Sequence, residues 1–153
     1  MKLDFFDKKI LAVLQKDNRI SQRDLADQIN LSPSAINRRI AAMEKEGIIK
    51  NSVSIIDSAQ VGRPITVITE VSLSNERLDL VTEAKKRFTK CPQIQQIYYV
   101  TGEFDFLLIF NVRDMGEYEG LTQKLFFESS NIKRFRTLVS MQNIKQEFTV
   151  MLE

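Results

Sequence analysis

The sequence lacks histidine and tryptophan altogether, and Cys91 is its only cysteine. Without histidine the chain has no imidazole general base, no histidine metal ligand and no Ser-His or Cys-His nucleophile pair. A single cysteine also excludes an intrachain disulfide. These absences disfavour most classes of enzyme and metalloprotein, so we expect a protein that is not an enzyme and carries no metal or cofactor.

Long apolar runs are missing too, since no stretch approaches the about 20 residues that a membrane span requires. The first ten residues, MKLDFFDKKI, mix acidic with apolar side chains and lack a small-residue cleavage site. We therefore expect a cytoplasmic protein without a membrane partner. The net charge is only +2, but residues 1–64 hold eleven Lys and Arg against eight Asp and Glu, which mildly favours a nucleic-acid contact there.

The first third of the chain has the apolar spacing of three short helices. The first is predicted from about Asp4 to Lys16, and its apolar residues recur at helical intervals: Leu3, Phe6, Ile10, Val13 and Leu14. Ser21 begins a second helix, SQRDLADQI, in which Asp24 completes an S-x-x-D capping box. A third helix follows almost at once, and a tight turn between two such helices is typical of a helix-turn-helix unit.

The third helix, within LSPSAINRRIAAMEKEG (31–47), has two contrasting faces. Its boundaries are marked by the N-cap Ser32, by Pro33 at the first helical position and by Gly47 at the stop. One side is apolar: Ile36, Ile40 and Met43. The opposite side carries hydrogen-bonding, positive or small residues: Ser34, Asn37, Arg38, Ala41 and Lys45. A helix that enters the major groove of DNA needs these properties, although a solvated polar face looks much the same.

A β-branched stretch follows this helix and precedes a domain boundary. Ile48-Ile49 and Val53–Ile56 look extended, and Lys50-Asn51 between them predicts a hairpin, which would be a wing. Glycine and proline punctuate residues 60–64. We therefore divide the chain into a helix-turn-helix domain with its wing and linker, residues 1–60, and a second domain, residues 61–153.

The second domain alternates strands and helices in the order β-α-β-β-α-β. The predicted strands are Thr66–Leu73, Ile94–Val100, Phe104–Val112 and Ile132–Met141, and the helices are Glu76–Thr89 and one that begins at Asp114 or Met115. This order is that of a ferredoxin-like unit, and Ile144–Leu152 adds a possible last strand. The fold class is therefore α+β, a helix-turn-helix head followed by a ferredoxin-like βαββαβ domain.

A ferredoxin-like sheet has helices on one face, so its other face needs a cover. The strands are rich in apolar and aromatic residues, for instance Tyr98, Val100, Phe106, Leu108, Phe110, Val139 and Met141. We interpret them as a surface for a partner sheet, and a two-fold homodimer is the simplest source. A dimer would also present two helix-turn-helix heads to DNA, about 34–36 Å apart.

Taken together, these motifs resemble the Lrp/AsnC family of feast/famine transcriptional regulators. In the first domain the resemblance rests on residues 3–21, 25–40 and 43–49, and in the second on VTGEFDFLL (100–108) and FRTLVSM (135–141). The resemblance implies a DNA-binding head and a ferredoxin-like domain that binds an amino acid and assembles dimers, often into tetramers or octamers. It implies a regulator whose assembly or DNA affinity responds to that amino acid.

The candidate DNA contacts lie on the second and third helices and just beyond them. We assign base-edge contacts to Ser34, Asn37 and Arg38, because Arg pairs with guanine and Asn with adenine at two points. Backbone contacts, which position the protein without selecting sequence, are assigned to Gln22, Arg23, Arg39, Lys45 and Lys50. Ser32 is chiefly a cap, although N–H groups at a helix N-terminus also hold phosphate.

The candidate effector site is the segment TGEFD (101–105). From the residues alone it is a hairpin turn in which Gly102 supplies a positive φ. The resemblance adds an amino-acid pocket between subunits. There Asp105 would accept the ligand's ammonium group and backbone N–H groups near Thr101 and Gly102 would bind its carboxylate. The remaining candidates are Tyr99, Val100 and Phe104 around the ligand's side chain and, from a neighbouring subunit, Arg136 and Thr137.

Two other functions fit parts of the pattern. Sirohaem decarboxylases share the two-domain arrangement but are expected to use histidines, which this chain lacks. A DNA-compacting architectural protein without an effector fits the head equally well. Footprinting separates the compacting protein from a transcriptional regulator, because a regulator protects a few spaced sites and a compacting protein covers DNA uniformly.

Overall fold

Three short helices form the N-terminal head, and polar side chains fix where each begins. Helix α1 spans Phe5–Leu14, α2 spans Gln22–Ile29 and α3 spans Pro33–Lys45. The N-cap residues Asp4, Ser21 and Ser32 each accept a hydrogen bond from the backbone N–H three residues on. Each cap satisfies a donor that has no partner within its helix, which stabilises the helix start.

The turn between α2 and α3 is as tight as predicted. Asn30 ends α2 in the left-handed conformation, with φ of 60°, and the Leu31 N–H donates to the Ala26 carbonyl at 3.1 Å. The three helices enclose a small apolar core: Ile10, Leu11, Leu25, Ala26, Ile29, Ile36 and Met43. The predicted helix-turn-helix unit is therefore present and has a core of its own.

The rest of the fold is a four-stranded antiparallel sheet with two helices. Its elements are β1 (Ile65–Leu73), α4 (Leu78–Thr89), β2 (Ile94–Tyr99), β3 (Phe106–Val112), α5 (Met115–Thr122), which continues as a π-helical segment (Gln123–Phe127), and β4 (Ile132–Val139). The strand order is β2-β3-β1-β4, so β1 lies between β3 and β4. This arrangement confirms the predicted ferredoxin-like domain.

The computed structural model describes residues 1–153, and they form two compact units. One unit comprises Met1–Ile55 with Gln146–Glu153, and the other comprises Ile56–Lys145. The division lies a few residues before the boundary expected from the sequence, and residues 146–153 pack with the first unit.

Two segments predicted as strands have no strand structure. Residues 48–57, which include the predicted wing, and residues 142–153, which include the predicted last strand, form no ladder. Their alternating apolar residues predict an extended chain, but the side chain of Ile55 is 82% exposed and not packed in a sheet. A strand also needs a backbone partner, however, and no other segment of this chain pairs with either stretch.

The apolar residues of the sheet divide between its two faces differently from our interpretation. Phe106, Leu108 and Phe110 are buried in the core under the helices. The opposite face carries the alternate residues, among them the half-buried Ile68, Leu107 and Ile109 and the exposed Tyr98 and Leu138. An open apolar face thus exists, but of the residues named as its basis only Tyr98 lies in a strand on that face.

Glu117, in the first turn of α5, binds Arg63, which lies just before strand β1. Its carboxylate accepts hydrogen bonds from the Arg113 N–H at 2.8 Å, the Gln93 amide at 3.2 Å and the Arg63 guanidinium at 3.3 Å. The Arg113 N–H, followed by the Gln93 and Arg63 side chains, lowers the pKa of Glu117. Because Arg63 lies just before β1, this cluster fixes the start of the central strand.

We predict that Glu117→Gln unfolds at a lower temperature than the parent protein at pH 7. A carboxyl group with a lowered folded pKa stabilises the fold above its unfolded pKa, about 4.3, and this contribution is lost as the pH falls through the folded pKa. The difference in melting temperature should therefore shrink between pH 7 and pH 3.5. Circular dichroism measures it, with Glu119→Gln on the exposed side of the same helix as control. An equal difference at both pH values would contradict the prediction.

Candidate DNA interface and ligand cavity

The exposed face of α3 carries the three candidate base contacts. Ser34, Asn37 and Arg38 are all exposed, and their spacing of three and four residues aligns them on one side of the helix. The buried side of the same helix, Ile36 and Met43, anchors it to the core. The helix can therefore present hydroxyl, amide and guanidinium donors to a groove without disturbing the head.

The candidate phosphate contacts are exposed, with one exception. Gln22 and Arg23 form the first turn of α2, Lys45 lies in the last turn of α3 and Lys50 lies beyond it. The Ser32 hydroxyl caps α3 and lies 3.1 Å from the Ser34 hydroxyl.

Arg39 is the exception, because its guanidinium is engaged inside the head. It donates to the carboxylates of Asp4 and Asp7 at 2.7 Å each, and it lies 5.6 Å from the centre of the Phe6 ring. The Asp7 carboxylate, with that of Asp4, raises the pKa of Arg39. Arg39 thus joins α3 to α1, and we leave it out of the proposed DNA interface.

A cavity of about 320 Å³ lies at the β2–β3 hairpin. Its lining comprises Glu76, Tyr99, Val100, Thr101, Gly102 and Asp105. The Val100 N–H donates to the Asp105 carbonyl at 2.9 Å and closes the loop. Gly102 has the predicted positive φ, 129°, which a residue with a side chain rarely adopts. The turn therefore shapes one wall of the cavity.

Asp105 is held rigidly at this wall by the end of β1. Its N–H donates to the Val71 carbonyl at 2.8 Å, and its carboxylate oxygen Oδ2 accepts from the Leu73 N–H at 2.7 Å. The side chain thus continues the β1–β3 ladder beyond the last paired residues. A carboxylate held in this way is oriented before any ligand arrives.

Tyr99 is also fixed by its neighbours. Its ring lies 5.1 Å from that of Phe106, and the Lys85 ammonium lies 4.6 Å from the Tyr99 ring centre. Glu76, in the loop after β1, lines the same cavity, and no motif in the sequence points to it. The half-buried Phe104 belongs to the hairpin but does not line the cavity.

Arg136 and Thr137 lie on β4, which two strands separate from β2. Arg136 donates to the Glu70 carboxylate at 2.7 Å, and this bond raises the pKa of Arg136. The Thr137 and Tyr118 hydroxyls are 2.7 Å apart. Within one chain these two residues therefore do not join the cavity.

The structure has neither a metal-binding cluster nor a membrane-spanning helix. No group of three or more Cys, Asp and Glu side chains has the arrangement of a metal site, and Cys91 is buried. No helix combines the length and apolar character needed to cross a bilayer.

Both units match known families. Residues 3–50 match the winged helix-turn-helix DNA-binding model, and residues 66–150 match the Lrp/AsnC ligand binding domain. An uncharacterised HTH-type transcriptional regulator of Sinorhizobium fredii is 42% identical over 153 residues, which span 100% of this chain and 90% of that protein. The leucine-responsive regulatory protein of Haemophilus influenzae is 33% identical over 144 residues, or 94% and 87% of the two chains.

The fold also matches a solved structure. A transcriptional regulator of Neisseria meningitidis, solved as a complex with L-Met, has a TM-score of 0.90 against this chain. The match covers 98% of this chain and 97% of that one, at 24% sequence identity. At this identity the likeness shows a shared fold.

We predict that Arg39→Met destabilises the head and that Arg38→Met does not. Asp7 is 3% exposed, so losing Arg39 would leave a buried carboxylate that keeps only the Asp4 N–H. Breaking a fully buried ion pair costs about 3–5 kcal/mol, and we expect a smaller loss here because the Arg39 side chain is 25% exposed and the Asp4 N–H remains. Urea unfolding followed by circular dichroism measures the change. Equal stabilities of the two variants would contradict the structural role of Arg39.

Proposed function

The chain belongs to the Lrp/AsnC family of transcriptional regulators, and from this premise we propose that it binds specific DNA sites and responds to an amino acid. The N-terminal head binds DNA, and the amino acid binds in the cavity at the β2–β3 hairpin. The observation that carries the proposal is the pairing, in one chain, of an exposed donor-bearing helix with a cavity whose carboxylate is already oriented. The amino acid changes the assembly or the DNA affinity of the protein.

At the DNA, α3 lies in the major groove. Ser34, Asn37 and Arg38 contact base edges, where each two-point pair contributes about 1–3 kcal/mol of discrimination. The remaining interface residues contact the sugar-phosphate backbone and set the register: Gln22, Arg23, Lys45, Lys50 and the N-terminus of α3 at Ser32. The DNA partner also implies a cytoplasmic location.

At the cavity, the free oxygen of Asp105 accepts a hydrogen bond from the ligand's ammonium group. N–H groups of the turn at Thr101 and Gly102 bind the ligand's carboxylate, while Tyr99 and Val100 surround its side chain. The cavity volume of about 320 Å³ lies at the lower end of small-molecule sites. The names of the leucine-responsive relative and of the L-Met complex support an amino acid as the ligand.

A homodimer accounts for the open face of the sheet. The apolar side chains of Ile68, Leu107, Ile109 and Leu138 would pack against the same face of a second copy, which a two-fold axis makes self-complementary. A further copy would bring Arg136 and Thr137 to the cavity, and dimers would assemble into a tetramer or octamer. The amino acid acts only if it binds two states of this assembly unequally.

The DNA interface is tested by selecting bound sequences from a random pool. We predict that Arg38→Ala relaxes the sequence preference, whereas Lys45→Ala weakens binding to all sequences alike and lowers the salt dependence. The two variants are matched, because each removes one exposed cation from the same helix. Equal loss on every sequence for Arg38→Ala would assign Arg38 to the DNA backbone.

The ligand site is tested by calorimetric titration with each of the twenty amino acids. We predict that Asp105→Asn binds the best ligand roughly 10- to 100-fold more weakly, since a hydrogen bond to a charged group contributes about 1.5–3 kcal/mol. Asparagine still accepts from the Leu73 N–H, so the hairpin should stay folded.

Glu103→Gln is the control for this titration, because Glu103 is exposed on the same hairpin and does not line the cavity. Its affinity should equal that of the parent protein. If no amino acid binds the parent protein, the effector half of the proposal is wrong and a DNA-compacting role becomes the better explanation.

A further inference from the structure

The last residues of the chain cross the head as an extended strap, defined here as residues 146–153. The Gln15 side-chain amide donates to the Val150 carbonyl at 3.0 Å, and the Val150 N–H donates back to the Gln15 carbonyl oxygen at 2.6 Å. The Lys8 ammonium donates to the Glu153 carbonyl. Both Lys8 and Gln15 belong to α1 or its C-cap, so the strap binds along one helix.

The two hydrogen bonds of Gln15 have the pattern of a strand pair. A primary amide offers one donor and one acceptor side by side, as the backbone of a neighbouring strand does. The Gln15 side chain therefore binds the backbone of the strap, and the side chain of Val150 takes no part in these bonds. These two bonds stand in for the backbone pairing that a neighbouring strand would supply.

One apolar side chain of the strap completes the contact. Leu152 packs against the core of the head, whereas the adjacent Met151 is 86% exposed. Phe148 and Val150 are exposed as well, so Leu152 is the only residue of the strap that is partly buried. The strap is thus held by polar contacts along its backbone and by one apolar anchor.

The strap is covalently continuous with the sheet domain. After β4, the Ser140 N–H donates to the Thr66 carbonyl at 2.9 Å, and the Asn143 amide donates to the Thr66 hydroxyl at 3.0 Å. Only residues 144–149 separate this attachment from Val150, and they span at most about 25 Å when fully extended. The chain therefore connects the head to the sheet domain twice, through residues 50–57 and through residues 144–149.

We propose that the surface of α1 is a docking site for the strap and that docking increases the affinity of the protein for paired DNA sites. A head attached at two points has fewer accessible positions than a head attached at one. In a dimer this restriction raises the effective concentration of the second head once the first is bound. This second half rests on the proposed DNA-binding function, whereas the docking itself does not.

Docking is tested by hydrogen exchange on the full chain with a matched pair of variants. Leu152→Ser should speed exchange of the Val150 amide and of the C-terminal half of α1 roughly tenfold, because the strap opens more often. Met151→Ser, which alters an exposed neighbour, should leave both unchanged. Gln15→Ala should speed exchange at Val150 as well, and the exposed Gln142→Ala is its control.

Two results would overturn the docking. One is a Val150 amide that exchanges in the parent protein as fast as an unstructured residue. The other is equal exchange in the Leu152→Ser and Met151→Ser variants. Either result would show that the strap does not stay on α1 in solution.

The effect on DNA is tested with a single half-site and with two half-sites about one helical turn apart. Leu152→Ser should bind the paired sites roughly five- to tenfold more weakly than Met151→Ser, a part of the 10²–10⁴ gain that linkage can give. Both variants should bind the single half-site equally. Equal affinity for the paired sites would overturn the effect on DNA.

If the parent protein binds neither the single half-site nor the paired half-sites, both the proposed function and the effect of the strap on DNA binding are wrong. The exchange measurement would still decide whether the strap docks. The two failures are therefore distinguishable.

Discussion

Strand β1 is the constraint on which the sheet domain depends, because it is hydrogen-bonded on both sides. Its register with β3 pairs Val71 with Phe106, and its register with β4 pairs Val71 with Phe135. At its start, Arg63 is held by Glu117, and at its end the Leu73 N–H binds Asp105. A shift of one residue in β1 would therefore move its buried side chains to the other face and misplace the carboxylate of the cavity.

The head depends on the ion pair between Asp7 and Arg39. Its core is small, and the buried carboxylate of Asp7 is paired with the Arg39 guanidinium at 2.7 Å. The pair joins α1 to α3, so the stability of the head and the orientation of the helix proposed to bind DNA depend on one contact. Arg38, one residue earlier, points outward and is free for a different task. Adjacent arginines on one helix thus differ, since Arg39 is bound within the head and Arg38 is exposed.

The features that local pattern determines were predictable from the sequence. The capping residues located the starts of all three helices of the head, and the β-α-β-β-α-β order followed from periodicity and turn residues. The positive φ of Gly102 followed from its place between two strands. Residues such as Arg39 and Glu76 were not assignable, because their roles depend on partners distant in sequence. Arg39 has the charge and spacing of a phosphate contact, and only its distances to Asp4 and Asp7 show otherwise. The predictions of the last strand and of the wing were wrong for a related reason. An alternating pattern indicates that a segment favours an extended conformation, but it does not show which segment would pair with it.

The hydrogen bond from the Leu73 N–H to Asp105 has a consequence for selectivity. One carboxylate oxygen is committed to the backbone, so in the proposed site the other would meet an ammonium group in the same position for every amino acid. That end of the ligand would contribute a nearly constant share of the binding free energy and would not rank one amino acid above another. Preference would then arise where the ligands differ, at the walls formed by Tyr99 and Val100 and by whatever a second copy adds. Substitutions at those walls would change which amino acid the protein prefers and would leave the sheet intact.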